Sequence, residues 1–241
     1  MNPHISIDCV IFGFDLEKLN ILLLERLLKD EQTGEIIIYD HTLAGNHIFN
    51  NEELTKAAER ILKETTGLTN IYLEQFYTFG NTSRLSSENS RIWLKSTKRD
   101  PDIRVVSVGY YSLVNIKDAE ITYSGRNATW FPIEEMPELA FDHDRIARKA
   151  LEALRKKIKI EPIGFELLPD KFTISQVQKM YEAILGIEID KRNFRKKISN
   201  ASYIVPLNEK QIGVSHKPAQ LYMFSREIYE KTRKENFLYN I

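Results

Sequence analysis

Cysteine is almost absent. Cys9 stands alone in 241 residues, which excludes an internal disulfide and points to a reducing compartment. Its surroundings, ISIDCVIFGF, alternate as a strand does, so the thiol reads as a buried structural group rather than a nucleophile. Long apolar runs are missing too: none approaches the roughly 20 residues that a bilayer-spanning helix needs. The first residues carry no signal-peptide pattern, and a cytoplasmic location is expected. Net charge is absent overall, with 34 Lys+Arg against 34 Asp+Glu. The balance is uneven, however. Residues 161–241 hold 13 basic against 10 acidic side chains, which leaves 21 against 24 for residues 1–160. A slightly basic C-terminal part suits an anionic partner. Neither repeats nor low-complexity tracts occur, and a 42% hydrophobic content excludes disorder of the whole chain.

What is present divides in two. Through the first half, strand-like segments alternate with turns. Ile5–Phe14 and Leu19–Glu25 flank the polar turn Asp15–Lys18 as a hairpin would, and Glu35–Tyr39 is a short strand before a turn at Ala44–Gly45–Asn46. A helix follows, with Leu54, Ala57, Ala58, Ile61 and Leu62 on one face and Gly67 just past its last turn. Ile71–Phe79, Asp102–Val114 and Ala128–Phe131 are further strands, and Asn81–Asp100 reads as a long polar loop. Arg145–Ile158 is a helix that ends in the basic run Arg155, Lys156, Lys157 and Lys159. Strands with helices packed on them make an α+β domain over residues 1–160.

Glu161–Asp170, with Pro162, Gly164 and Pro169, reads as a linker. Beyond it, over residues 161–241, the punctuation changes. Thr173 and Gln176 form a capping box, stapled by Phe172 and Val177, in front of a helix whose Val177, Met180, Tyr181 and Ile184 share a face. Gly186 ends that helix, and Asp190 caps the next, with Ile189 and Phe194 as its staple. Two short helices across a tight Gly-containing turn make a helix-turn-helix. Ser202–Val205 and Gln220–Phe224 then flank a polar stretch with Gly213, Lys217 and Pro218, the outline of a wing.

The second helix opens KRNFRKK. Phe194 and Ile198 anchor it, so Lys191, Arg192, Arg195 and Lys196 face outward, with Asn193 near its start. Arg and Asn suit bidentate reading of guanine and adenine edges, Lys neutralises phosphate, and such helices enter the major groove by their N-terminal part. These five residues are the candidate DNA contacts, and Lys217 on the wing is a sixth.

The stretch Leu43–Leu68, LAGNHIFNNEELTKAAERILKETTGL, resembles the signature helix of the Nudix hydrolases. That pattern is a Gly, five residues, Glu, seven residues, then Arg-Glu-apolar-x-Glu-Glu-x-Gly-apolar. Glu52, Arg60, Leu62, Glu64, Gly67 and Leu68 match, while Asn46, Ile61 and Thr65 replace a Gly and two Glu. QFYTFGN at 75–81, RVVSVGYYSLV at 104–114 and the segment 130–154 are similar to the rest of ADP-ribose pyrophosphatase-like Nudix domains. The resemblance implies a Nudix-type α/β/α sandwich with a mixed sheet. In the family, carboxylates at positions 61, 64 and 65 share a helix face and hold Mg²⁺ against a diphosphate. Ile61 has no oxygen and Thr65 only a neutral hydroxyl, a poor partner for a hard divalent cation. No metal, cofactor or catalytic residue is therefore expected.

A degenerate Nudix domain before a winged helix-turn-helix resembles the Nudix-related transcriptional regulators of bacteria, as do YEAILGIEIDKRNFRKKI and KPAQLYMF. The resemblance implies a homodimer on a palindromic operator, controlled by an effector in the old Nudix cleft. That effector is ADP-ribose or a pentose such as L-arabinose, and the genes serve sugar or cofactor metabolism. With the metal cage lost, a neutral or lightly charged ligand such as a sugar is favoured. Candidate cleft residues are His41, Asn46, His47, Tyr77, Phe79, Arg104 and His143, with Tyr77 and Arg104 favoured by resemblance, and Glu64 beside them. Two alternatives stand: a hydrolase of ADP-ribose or another nucleoside diphosphate using Glu52, Glu64 and His143, and a winged helix that contacts protein rather than DNA.

Overall fold

Burial on both faces of a central strand sets the frame of the first half. Along β1 (Ile5–Phe14) every second side chain turns the same way. Ile7, Cys9 and Ile11 pack with Ala57, Ala58, Ile61 and Leu62 of α1 (Leu54–Thr66). Val10, Phe12 and Phe14 pack with Ile146, Ala147, Ala150 and Leu154 of α3 (His143–Lys157). A sheet strand buried on both sides between helices is the middle layer of an α/β/α sandwich. The computed structural model describes residues 1–69, 71–119, 127–215 and 217–239.

The mixed sheet runs β3-β2-β1-β6-β5, with β4 paired to β1 and β7 to β2. Its members are β2 (Leu19–Lys29), β3 (Ile36–Thr42), β4 (Ala44–His47), β5 (Tyr72–Phe79), β6 (Val106–Asn115) and β7 (Ala128–Pro132). β1 and β6 are parallel over their whole length. On its other edge, β1 pairs with β2 only at Phe12–Phe14 and with β4 at Ser6–Cys9. This handover leaves a gap between β1 and the β2–β3 ribbon, and the candidate cavity lies there.

α1 ends as its sequence requires: Gly67 sits at φ 72°, and its N–H donates to the Lys63 carbonyl. Three expectations are corrected. Ala44–His47 is a strand, not only a turn. Within 81–100 lies a helix, α2 (Glu88–Ser96), capped by the Ser87 hydroxyl. Only Ser90 and Leu94 of its nine residues are buried, so an apolar period is barely written into it. Nor is 161–170 a free linker. Ile163, Phe165, Leu167 and Leu168 are all buried, and Gly164 at φ 99° turns the chain so that they can be.

That segment joins the two halves through one apolar cluster. Leu154 and Ile158 meet Val177, Met180 and Ile184 of α4 (Ile174–Leu185) and Phe194 and Ile198 of α5 (Lys191–Ser199). Arg155 Nε donates to the Ile184 carbonyl at 2.7 Å. The capping box of Thr173 and Gln176 forms on both sides, Gly186 adopts the left-handed conformation, and the Asp190 carboxylate accepts from Asn193 N–H. β8 (Ile204–Lys210) and β9 (Gln220–Phe224) pair as the wing, followed by α6 (Arg226–Tyr239). A helix-turn-helix with a wing is the result. Among the described residues, no helix is long and apolar enough to cross a membrane.

Candidate functional site

The Nudix-like helix has kept its charged frame for structural use. Arg60 donates to both Glu52 oxygens, at 2.7 and 2.9 Å, and lies 3.5 Å from Glu64. Glu52 in turn accepts from the Phe49 N–H at 2.9 Å, and the guanidinium stacks 4.4 Å from the Phe49 ring. Arg60 beside it holds the Glu52 carboxyl below the usual range. Together these contacts pin the 48–53 loop onto α1. Ile61 and Thr65 are buried, and the Thr65 hydroxyl is already spent on the Ile61 carbonyl at 2.7 Å. These residues do not fit a Mg²⁺ cage: two of three carboxylate positions face an apolar core, and the third, Glu64, pairs with Arg60. Among the described residues no metal-ligating cluster occurs elsewhere.

A cavity of about 170 Å³ opens at the N-terminus of α3, beside the handover on β1, and no residue of α1 lines it. Three predicted residues come together there: Asn46, His47 and His143. Around them stand residues the sequence reading did not single out, chief among them Asp8, Arg26, Arg84, Arg99, Trp93 and Phe141. Arg26 is 1% exposed. It donates two 2.6 Å bonds to Asp40 and lies between the rings of Trp93 and Phe141, 4.8 and 4.5 Å from their centroids. Arg84 is tied to Asp142 at 2.9 Å and to Asp8 at 3.3 Å. Burial opposes the Arg84 charge, but the two carboxylates outweigh it and push its pKa up. Asp8 is buried as well. Burial works against its charge, yet His143, Arg84 and an Oγ–H bond from Ser107 outweigh that and hold its carboxyl low.

His143 has a defined proton position. Leu43 N–H donates to Nδ1 at 3.0 Å, so Nδ1 is an acceptor and the neutral ring carries its proton on Nε2, 3.6 Å from Asp8 Oδ1. Burial depresses the ring's pKa, in keeping with that neutral form.

The other candidates lie elsewhere. Tyr77 is half exposed on β5, with its ring edge-on to Phe79 at 4.9 Å. Phe79 belongs to the apolar core. Arg104 reaches the Gly80 carbonyl at 3.4 Å and lines a shallow depression with His4 and Leu54. His41 meets the Phe131 ring edge-on at 4.9 Å, and Glu64 stays with Arg60.

On α5, Phe194 and Ile198 are buried, while Lys191, Arg192, Asn193, Arg195 and Lys196 are all exposed. Arg195 makes a 3.4 Å contact with Ser175 Oγ. None of the four cations pairs with a carboxylate among the described residues. Lys217 is exposed on the wing.

Fold and sites define a two-part class: a Nudix-type domain without its metal cage, followed by a winged helix-turn-helix. Over nearly its whole length the chain is similar to Nudix-related transcriptional regulators. Residues 164–224 match the family described as the NrtR DNA-binding winged helix domain. The chain is 29% identical, over 235 residues, to the ADPR responsive transcriptional repressor NtrR of Acinetobacter baylyi, covering 95% of this chain and 85% of that one. The crystal structure of Shewanella oneidensis NrtR complexed with a 27mer DNA is 27% identical with a TM-score of 0.72, covering 94% and 95% of the two chains. A MutT/nudix family protein from Enterococcus faecalis shares the fold at 22% identity and a TM-score of 0.65, covering 93% and 89%.

Proposed function

We propose that this chain is an effector-responsive, DNA-binding transcriptional repressor of the cytoplasm. Residues 161–241 would bind DNA and 1–160 would sense the effector. The observation that carries the reading is α5: a doubly capped helix-turn-helix presents four cations outward with no carboxylate among the described residues to neutralise them. Lys191 and Lys196 neutralise phosphate, Arg192, Asn193 and Arg195 read base edges, and Lys217 adds a wing contact. As a homodimer, two such helices meet the two halves of a palindromic operator.

For the effector, ADP-ribose is favoured over a pentose such as L-arabinose. The A. baylyi relative is described as ADPR responsive, and three arginines against one carboxylate line the cavity at α3. This reverses the preference for a neutral sugar, because cations from outside the Nudix helix replace the missing metal. Control of cofactor metabolism follows more readily than control of sugar use. The protein acts by binding rather than by hydrolysis, since neither Ile61 nor Thr65 can hold a divalent ion.

Fluorescence anisotropy on genomic operator fragments, across a salt series and with ADP-ribose or L-arabinose added, tests this. Sequence-specific binding that ADP-ribose alters and arabinose does not is the expected result. Binding that is sequence-independent at every salt concentration defeats it. So does Mg²⁺-dependent release of AMP from ADP-ribose that disappears in Glu64→Gln.

A further inference from the structure

We propose that the cavity at the N-terminus of α3 is a metal-independent site for a phosphoryl group, held by the Nη1 atoms of Arg26 and Arg84. The proposal rests on the effector reading above and names the chemistry of its site.

Both guanidiniums are more than nine-tenths buried, and in each the Nη1 alone lacks a hydrogen-bond partner among the described residues. A buried donor left unpaired is uncommon, and two lining the same cavity are a functional signal. Elsewhere in each side chain the donors are occupied. Asp40 takes the Nε and Nη2 of Arg26, and Asp142 and Asp8 take those of Arg84. The free corners are thus fixed in place before any ligand arrives, which is preorganisation for an anion with several acceptor oxygens. Arginine suits such an anion better than lysine, because its fork is planar and always charged.

Two further observations point the same way. Phe141, whose ring covers Arg26, has φ 59°, a backbone state that a bulky side chain rarely adopts. Arg99 brings a third guanidinium to the same lining, where it donates to Asn46 Oδ1 at 3.3 Å. Asp8 is the one carboxylate lining the cavity, and it is engaged by Arg84 and Ser107.

Size limits what enters. About 170 Å³ lies below the ~300–1,000 Å³ that encloses a drug-sized ligand. The cavity therefore takes a phosphoryl group with an adjoining pentose, and the adenosine end of a longer ligand stays at the mouth. The phosphoryl oxygens could come from a diphosphate, a sugar phosphate or inorganic phosphate.

Calorimetry on the full chain in EDTA separates these sources, using ADP-ribose, ribose 5-phosphate, inorganic phosphate and L-arabinose. Binding of ADP-ribose without metal is expected, with ribose 5-phosphate and phosphate displacing it and arabinose failing to. Arg26→Lys should weaken it on the order of tenfold by losing the fork geometry. Asn46→Asp is the second variant, because it removes no structural arginine and can keep both Oδ1 contacts. It places a negative charge at the mouth and should also weaken phosphorylated ligands about tenfold.

Loss of ADP-ribose binding in EDTA with recovery in Mg²⁺ overturns the proposal. So do equal affinities in wild type and both variants, or a wild-type protein that binds arabinose but none of the phosphorylated ligands. In each of these cases, operator binding retained by the same preparations shows that the regulator reading stands and only the site is misassigned.

Discussion

The same side chain is used in opposite ways at the two ends of this molecule. In the cavity at α3, Arg26 and Arg84 are buried and clamped by carboxylates, and Arg26 also lies against two rings. On α5, Arg192 and Arg195 stand in water without an ion pair among the described residues. A buried guanidinium costs desolvation and tolerates no error of placement, so it serves a small ligand whose atoms have fixed positions. An exposed one costs little and can adjust, so it serves a long polyanion met at many phosphates. On the proposed reading, burial more than charge count would separate the sensor from the reader.

The sharpest way to break this contrast is truncation at each end. Arg26→Ala leaves Asp40 without its bidentate partner and opens the space between Trp93 and Phe141. A loss of about 3 kcal/mol is expected in urea unfolding. Arg192→Ala should stay within about 0.5 kcal/mol of wild type in the same measurement. Equal losses would erase the distinction.

Binding should show the reverse order. The double variant Arg192→Ala with Arg195→Ala removes no packing, since Phe194 and Ile198 hold the helix. Operator affinity should fall about 100-fold, at roughly 1–3 kcal/mol for each base-reading arginine. ADP-ribose affinity of the DNA-free protein should not change. If operator binding survived, the winged helix would instead be a protein-contact module.

Much of the second half was legible in the sequence, because local chemistry writes it. Thr173, Gln176, Gly186 and Asp190 are caps whose partners lie within four residues, and each does what its spacing implies. The Nudix frame was legible too, through Glu52, Arg60 and Gly67, although the ion pairs of Glu52 and Arg60 fix a loop rather than face the cavity. The cavity itself was hidden. Arg84 meets Asp8 across 76 positions and Arg26 meets Phe141 across 115, and no spacing rule links such pairs. One signal was available: Glu25 and Arg26 interrupt the apolar run of LNILLLERLLK, and a charge in a strand that must be buried asks for a partner. α2 was missed for the opposite reason, because its burial is too slight to leave a period.

The smallest expected effect concerns acid, and it separates buried from exposed groups once more. Burial holds the folded His143 ring below its ordinary 6.5, so on acidification the unfolded chain takes up that proton first. Stability from this group is complete above about pH 6.5 and drains as pH falls toward the folded pKa. His47, also depressed by burial with Arg99 adding to it, acts in the same window. Asp8, held below 3.8, adds its own loss only in stronger acid. His143→Asn can keep an acceptor for the Leu43 N–H while removing the titration. Urea midpoints measured between pH 7 and pH 5 should therefore fall less steeply in the variant than in wild type. Parallel slopes would mean that the ring titrates no differently once folded, and that the Leu43 bond does not hold His143 neutral.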